Sequence, residues 1–267
     1  MTIYWIAGIE IHAFTFWIAV GVVAGVAIVL GVAARRHQRL MPWLDAATNA
    51  VVGGLIGARA VHVWLNWAYF SAHTDQIIDF GNGGLDWHGA VAGGLLGATL
   101  LALASRIPLS SLMDAFALVL PVGAVATWLA CAAANAAYGL EVRTLADFPS
   151  WLVIESPDVY GIVAPRLNLP PIGIALAVVV LIGVAALTAF GWLSGLRLWL
   201  ALTVYSLGMA IIDFFRAEYV PTWFGRRADQ VLDLALALAA ILIFAVAAVV
   251  AMRAGTRRVP ARSQGRA

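Results

Sequence analysis

The chain has 267 residues, of which 63% are hydrophobic and 11% charged, and its formal net charge is +2. Soluble domains carry ~25% charged residues, so with a mean hydropathy of +0.93 the composition excludes an ordinary water-soluble fold. All 16 basic residues are arginine, and without a lysine amine there can be no retinal Schiff base. The single cysteine, Cys131, leaves no intrachain disulfide and no cysteine-based metal site.

A crossing helix needs ~20 apolar residues to traverse ~30 Å of hydrocarbon. Seven such runs lie near residues 13–34, 46–67, 89–105, 113–135, 172–193, 197–215 and 230–252. The expectation is therefore an all-α, polytopic membrane protein of about seven transmembrane helices with a small extracytoplasmic cap. Residues 1–253 read as one transmembrane domain and 254–267 as a basic, disordered tail, whose attraction to anionic lipid headgroups accounts for its charge.

The first run has no basic region before it and is longer than a signal-peptide core, so it reads as a retained span; Arg35, Arg36 and Arg39 follow it. The second carries Arg59 and, three residues on and on the same helix face, His62. A mid-span arginine costs ~2.5–3.5 kcal/mol even on insertion scales, so it needs a structural or functional reason. An excursion over about 68–88, with Asp75, Asp79 and Asp86, ends in Gly83-Gly84-Leu85-Asp86-Trp87-His88-Gly89 at the mouth of the third run. A titratable ring at such a boundary is a functional candidate by default. Glycines recur four apart at Gly21 and Gly25, Gly53 and Gly57, and Gly93 and Gly97, a spacing that lets helix backbones approach closely.

Asp114 opens the fourth run. A second excursion over about 139–171 holds Pro149, Pro157, Pro165, Pro170 and Pro171, which predicts an irregular cap rather than helix. Asp213 and Arg216 close the sixth run on one face, and Asp229 and Asp233 open the seventh, where the positive end of a helix favours carboxylates.

Ten arginines (35, 36, 39, 106, 197, 253, 257, 258, 262 and 266) fall on one side; Arg143, Arg166, Arg226 and Arg227 fall on the other, with Arg216 near the boundary. The arginine bias places the N-terminus outside and the C-terminus in the cytoplasm. The five histidines are scattered without metal-ligand spacing, so no metal or other cofactor is implied. No nucleotide loop and no basic face for nucleic acid is present. Two arginines and a histidine near the outer halves of helices suit an anionic phosphate, because guanidinium presents a planar donor fork. The same charges could instead pair with one another and fix helix packing.

These motifs, taken together, resemble the bacterial prolipoprotein diacylglyceryl transferases. The first run, Ile9-Glu-Ile-His-Ala-Phe-Thr-Phe-Trp, is similar to that family's opening helix, and Gly53-Gly-Leu-Ile-Gly-Ala-Arg59 to its second-span Gly-Ala-Arg element. Gly83-Gly-Leu-Asp-Trp-His88-Gly resembles its Gly-Gly-x-x-x-His-Gly-Gly element. Asp114 with Pro121 matches the start of its fourth helix, and Asp213-Phe-Phe-Arg216 followed by Ala-Asp-Gln230 resembles its Glu-Phe-Phe-Arg and downstream glutamine. The resemblance implies an inner-membrane transferase that moves diacylglyceryl from phosphatidylglycerol to the cysteine thiol of a lipobox signal peptide. His88 would be the base. Arg59 and Arg216 would be phosphate or structural partners, and Asp213, Asn135 and Gly139 would complete the substrate site.

The chain departs from the family pattern at several positions. Trp128, Cys131 and Ala136 stand where the signature has Arg, Asn and Glu, and only Gly139 fits it. Phe14 replaces a tyrosine, Met209 another arginine, and Asp213 a glutamate; no His-Pro precedes the fifth run. Either the site is rebuilt around His88, Arg59, Arg216 and Asn135, or the chain binds phospholipid or lipoprotein precursor without chemistry. A small-solute transporter is a third reading, with Arg59 and His62 as its only mid-span polar pair.

Overall fold

The computed structural model describes residues 3–6, 9–80, 83–158 and 160–256. In chain order these form a hairpin, β1 (Ile3–Ile6) and β2 (Ile9–His12), and then helices α1 (Ala13–Arg35), α2 (Leu40–Leu65) and the single turn α3 (Trp67–Phe70). Next come α4 (Trp87–Ala104), α5 (Leu109–Ala134), the hairpin β3 (Val153–Pro157) and β4 (Val163–Leu167), then α6 (Leu169–Ala189) and α7 (Arg197–Ile212). A 3₁₀ turn over Asp213–Phe215, the hairpin β5 (Thr222–Trp223) and β6 (Arg226–Arg227), and α8 (Ala228–Thr256) complete the order. Of the expected tail, residues 257–267 lie outside the described residues.

Among the described residues, six helices are long and apolar enough to cross a membrane: α1, α4, α5, α6, α8, and α7 with its 3₁₀ extension. The remaining expected span falls in α2, whose 26 residues at 1.5 Å each also suffice in length. Its content of Gly, Asn49, Arg59 and His62 makes it less apolar than the others. The chain is a multi-pass membrane protein.

α2 and α4 make the tightest of these contacts, with their glycines facing one another. A Cβ on Gly57 would stand 2.3 Å from the Gly89 carbonyl oxygen, and one on Gly93 2.1 Å from that of Gly53. The expected role of these glycines in close packing is what the structure shows. Gly93→Ala should therefore force the helices apart and destabilise the fold by ~1–3 kcal/mol. Gly183→Ala is the control, since nothing lies within 4 Å of its added methyl. Equal melting of the two variants in detergent would contradict the contact.

Asp114, on α5, ties together the helix ends opposite His88. It accepts from Gly195 N at 2.7 Å and Ser194 Oγ at 2.9 Å, and pairs with Arg36 at 3.3 Å and Arg197 at 3.4 Å. Arg36 also donates to Ser111 Oγ. Every oxygen of this buried carboxylate therefore faces a donor, which is the condition for keeping it charged away from water.

The second excursion is not the irregular cap its prolines predicted, because β3 and β4 pair antiparallel over five residues each. Proline is excluded from central strands for want of an N–H, yet Pro165 serves through its carbonyl, which accepts from Val142 N at 2.8 Å. The segment around Gly139 lies between β4 and the end of α7: Gly139 N donates to Leu167 O and Leu140 N to Phe215 O. The cap is thereby bonded to the residues that close the sixth run. Trp64, Trp67, Tyr219 and Phe224 are exposed at this end, as befits a membrane–water interface.

Candidate functional site

His88 sits in the first turn of α4 because Asp86 caps that helix, its Oδ1 accepting from the amides of His88 at 2.9 Å and Gly89 at 3.1 Å. The same carboxylate lies 3.2 Å from His88 Nδ1. Burial works to raise the Asp86 pKa, but the bonds from the ring and the two amides outweigh it, so the pKa lies below the ordinary carboxylate range. On the other edge of the ring, Nε2 is 2.8 Å from Asp233 Oδ1 on α8. The imidazole is 7% exposed and Asp233 is completely buried. A histidine thus lies between two carboxylates on different helices.

From Asp233 the polar cluster continues to Asp213, which is also completely buried and within hydrogen-bonding reach of Asp233. Asp213 Oδ1 faces Arg216 Nη1 at 3.3 Å. Arg216 in turn pairs with Glu218 and, at 3.7 Å, with Asp229. Burial disfavours its charge, but Glu218, Asp213 and Asp229 more than compensate and raise its pKa above the usual guanidinium value. Arg227 grips Asp229 with two bonds of 2.8 and 3.1 Å and donates to the carbonyls of Arg216 and Glu218. The backbone of Gly139 pairs with that of Arg216, and Ala137 N donates to Glu218.

Of the residues singled out in the sequence, His88, Asp213, Arg216 and Gly139 meet in this one cluster. Arg59 does not join it by a hydrogen bond. Its guanidinium donates to the carbonyls of Gln76 (2.6 Å), Ile77 (2.9 Å), Gly83 (2.6 Å) and Gly84 (3.1 Å), beneath Phe70 and Phe80. Gly84, at φ +76°, leaves no room for a Cβ beside His62 and Arg59. Arg59 is therefore clamped to the loop that delivers Asp86 and His88. Asn135 adopts the left-handed conformation that ends α5 (φ 52°, ψ 33°), a role for which asparagine is suited; its side chain is exposed.

Arg59→Met should remove the shared donor of four part-buried carbonyls, each of which costs up to ~1–3 kcal/mol where water does not replace the lost bond. Hydrogen exchange at residues 76–86 is expected to accelerate well beyond that of the α5 amides. Unchanged protection of that segment would refute the clamp.

Sequence reading passed over Glu218 and did not join Asp86 and Asp233 to the site. Asp86 was detectable as a helix cap two residues before His88. Asp233 follows Asp229 at the four-residue spacing that shares a helix face. Glu218 lies two residues after Arg216, where the backbone that leaves α7 turns extended and side chains two apart share a side; that spacing is the signal for it. At the positions of the expected signature arginines, Trp128 donates to Tyr205 Oη at 3.1 Å and packs over Gly173, and Met209 is buried.

A helical bundle in the membrane, with an ionic cluster buried at one end under a small β cap, defines a polytopic membrane protein with a polar site at the interface. The sequence model of the family described as prolipoprotein diacylglyceryl transferase matches residues 2–246, and the chain belongs to that family. Among curated relatives, the phosphatidylglycerol–prolipoprotein diacylglyceryl transferase of Acaryochloris marina is 35% identical over 115 residues, 40% of this chain and 42% of that protein. Its counterpart in Clostridioides difficile is 31% identical over 122 residues, 45% of this chain and 49% of that protein. That of Symbiobacterium thermophilum is 34% identical over 118 residues, 42% and 44% respectively. The matched stretches thus span less than half the length of these relatives.

Proposed function

We propose that the chain transfers the diacylglyceryl group of phosphatidylglycerol to the thiol of a lipobox cysteine in a prolipoprotein. The observation that carries this reading is His88, held between Asp86 and Asp233 at the membrane boundary, with Arg216 in the same cluster. In the reaction the thiol loses its proton, a sulfur–carbon bond forms at the terminal glycerol carbon, and the carbon–oxygen bond to phosphate breaks. The bonding pair leaves with glycerol phosphate.

His88 serves as base once its Nδ1 proton has left to solvent past the less buried Asp86; the ring keeps the Nε2 proton that it donates to Asp233 and takes the thiol proton at Nδ1. The imidazolium formed lies between two carboxylates, which favour the charged ring. Arg216 stabilises charge developing on the departing phosphate; its buried Nε has no hydrogen-bond partner among the described residues. Asp213 orients that guanidinium, the Gly139 backbone fixes its main chain, and Arg59 holds the loop that positions His88. Asn135 sets the turn between α5 and the cap. The arginine bias supports a cytoplasmic-membrane orientation with the N-terminus outside and the C-terminus inside, which puts the cluster on the outer face.

A second reading has its own support. Trp128 and Met209 fill with apolar packing the places where the resemblance leads one to expect arginines, which favours a scaffold that holds phospholipid or precursor without turning it over. Expression in cells depleted of their own transferase separates the two. Lipid labelling of a lipobox precursor supports transfer. No labelling at good expression, with phosphatidylglycerol still bound to the purified protein, supports the second reading and rejects the first.

A further inference from the structure

We propose that Asp213 and Asp233 form a carboxyl pair that shares one proton, a buried acid site held between α7 and α8 beside His88. Both side chains are completely buried. Asp233 directs one oxygen to His88 Nε2 at 2.8 Å, and Asp213 directs one to Arg216 at 3.3 Å. The second oxygen of each, Oδ2, is buried with no donor facing it among the described residues, while the two carboxyl groups lie within hydrogen-bonding reach of one another. Ionised carboxylates are acceptors only, so two of them in contact leave both oxygens unsatisfied. One proton turns the contact into an O–H···O bond, in which one oxygen donates and the other accepts, at the short range typical of charge-assisted pairs.

The charges around the pair require the same thing. The cluster contains Asp86, Asp213, Glu218, Asp229 and Asp233, five carboxyl groups. Against them stand Arg216, Arg227 and at most a protonated His88. Tyr205 on α7 and Cys131 on α5, the other titratable groups nearby, add no positive charge. Arg216 is divided among three carboxylates and His88 between two. Glu218, Asp229 and Asp86 keep some exposure at the rim, so the protonated group belongs with the two that have none. Burying an unpaired carboxylate is costly enough that such a group takes up a proton instead.

Asp114, another buried carboxyl group, supplies a contrast within the same chain: it meets four donors from four residues. The Asp213 and Asp233 pair meets two. Its proton lies one carboxyl group away from His88, so Asp233 acts on the ring as a positioning residue whose charge depends on where that proton sits.

Infrared spectroscopy of the full chain in an ester-free detergent tests this without reference to turnover. At neutral pH a carboxylic-acid carbonyl band is expected that shifts down in D2O and shifts again when the protein is made with carboxyl-13C aspartate. Asp213→Asn and Asp233→Asn should each abolish it. Because the amide N–H stands in for the shared proton, both variants should melt close to the parent, whereas Asp213→Ala should melt well below it. Absence of an aspartic-acid band in the labelled parent overturns the proposal, as does a band that survives in both asparagine variants. If neither variant folds, the labelled parent alone decides. A missing band leaves the transfer reading intact, and failure of precursor labelling leaves the proton site intact.

Discussion

Replacing His88 with alanine is expected to lower transfer of lipid to a lipobox cysteine by ~10²–10⁴-fold, the usual contribution of a positioned acid–base group. The ring meets a carboxylate at each nitrogen, so its removal does more than delete a base. It leaves Asp233 facing Asp213 without a cation on its other side, and it leaves Asp86 with only its capping bonds to α4. The variant should therefore also lose stability. Activity has to be normalised to folded protein, which labelling of precursor in depleted cells with parallel quantification in the membrane provides. Asp86→Asn is the informative companion. It can keep the helix cap through its side-chain oxygen while removing the negative charge beside Nδ1, so the fold should persist while the pH at which transfer is half-maximal moves. Full activity in His88→Ala would reject the base assignment, and an unmoved pH profile in Asp86→Asn would reject the role given to that carboxylate.

Arg216→Ala is expected to be the most damaging single change to the fold. The guanidinium faces Asp213, Glu218 and Asp229; without it Asp229 keeps Arg227, but the fully buried Asp213 loses its counter-charge, a loss that reaches about 3–5 kcal/mol for a fully buried pair. Thermal unfolding in detergent should show the loss directly. Arg216→Lys should recover only part of it, since an ammonium cannot present the fork that meets several carboxylates at once. Phosphatidylglycerol binding by the folded fraction should fall in both variants. If binding is unchanged, the guanidinium serves packing alone.

The membrane fold was legible in the sequence to within a few residues. Helices begin and end near the expected limits because long apolar runs bounded by Arg35, Arg106 or Gly195 leave little choice in a solvent that cannot satisfy backbone groups. The hairpins were not legible. β3 and β4 contain Pro157 and Pro165, and a proline reads as a breaker unless one knows which side of the ladder needs its N–H. The site was half legible. His88 stood out because a titratable ring beside an apolar run is expensive, and Asp213 and Arg216 stood out by sharing a helix face. Arg59 was noticed for the same expense, but the phosphate-like environment it needs turns out to be four backbone carbonyls of its own loop.

By itself, then, the sequence determined that the chain spans a membrane, where its helices lie, which polar residues are too costly to be accidental, and the family it resembles. Those follow from local quantities: hydropathy summed along a run, spacing on one helix, and short motifs. Tertiary structure decided which of those polar residues answer one another. Asp86, His88, Asp233, Asp213, Arg216 and Glu218 come from three separate segments, 86–88, 213–218 and the start of α8, and their pairing depends on the glycine-to-glycine approach of α2 and α4 and the packing of α7 on α8. A buried charge is stable only with a partner within a few ångströms, and that distance is set by the packing of whole helices, which no local pattern records.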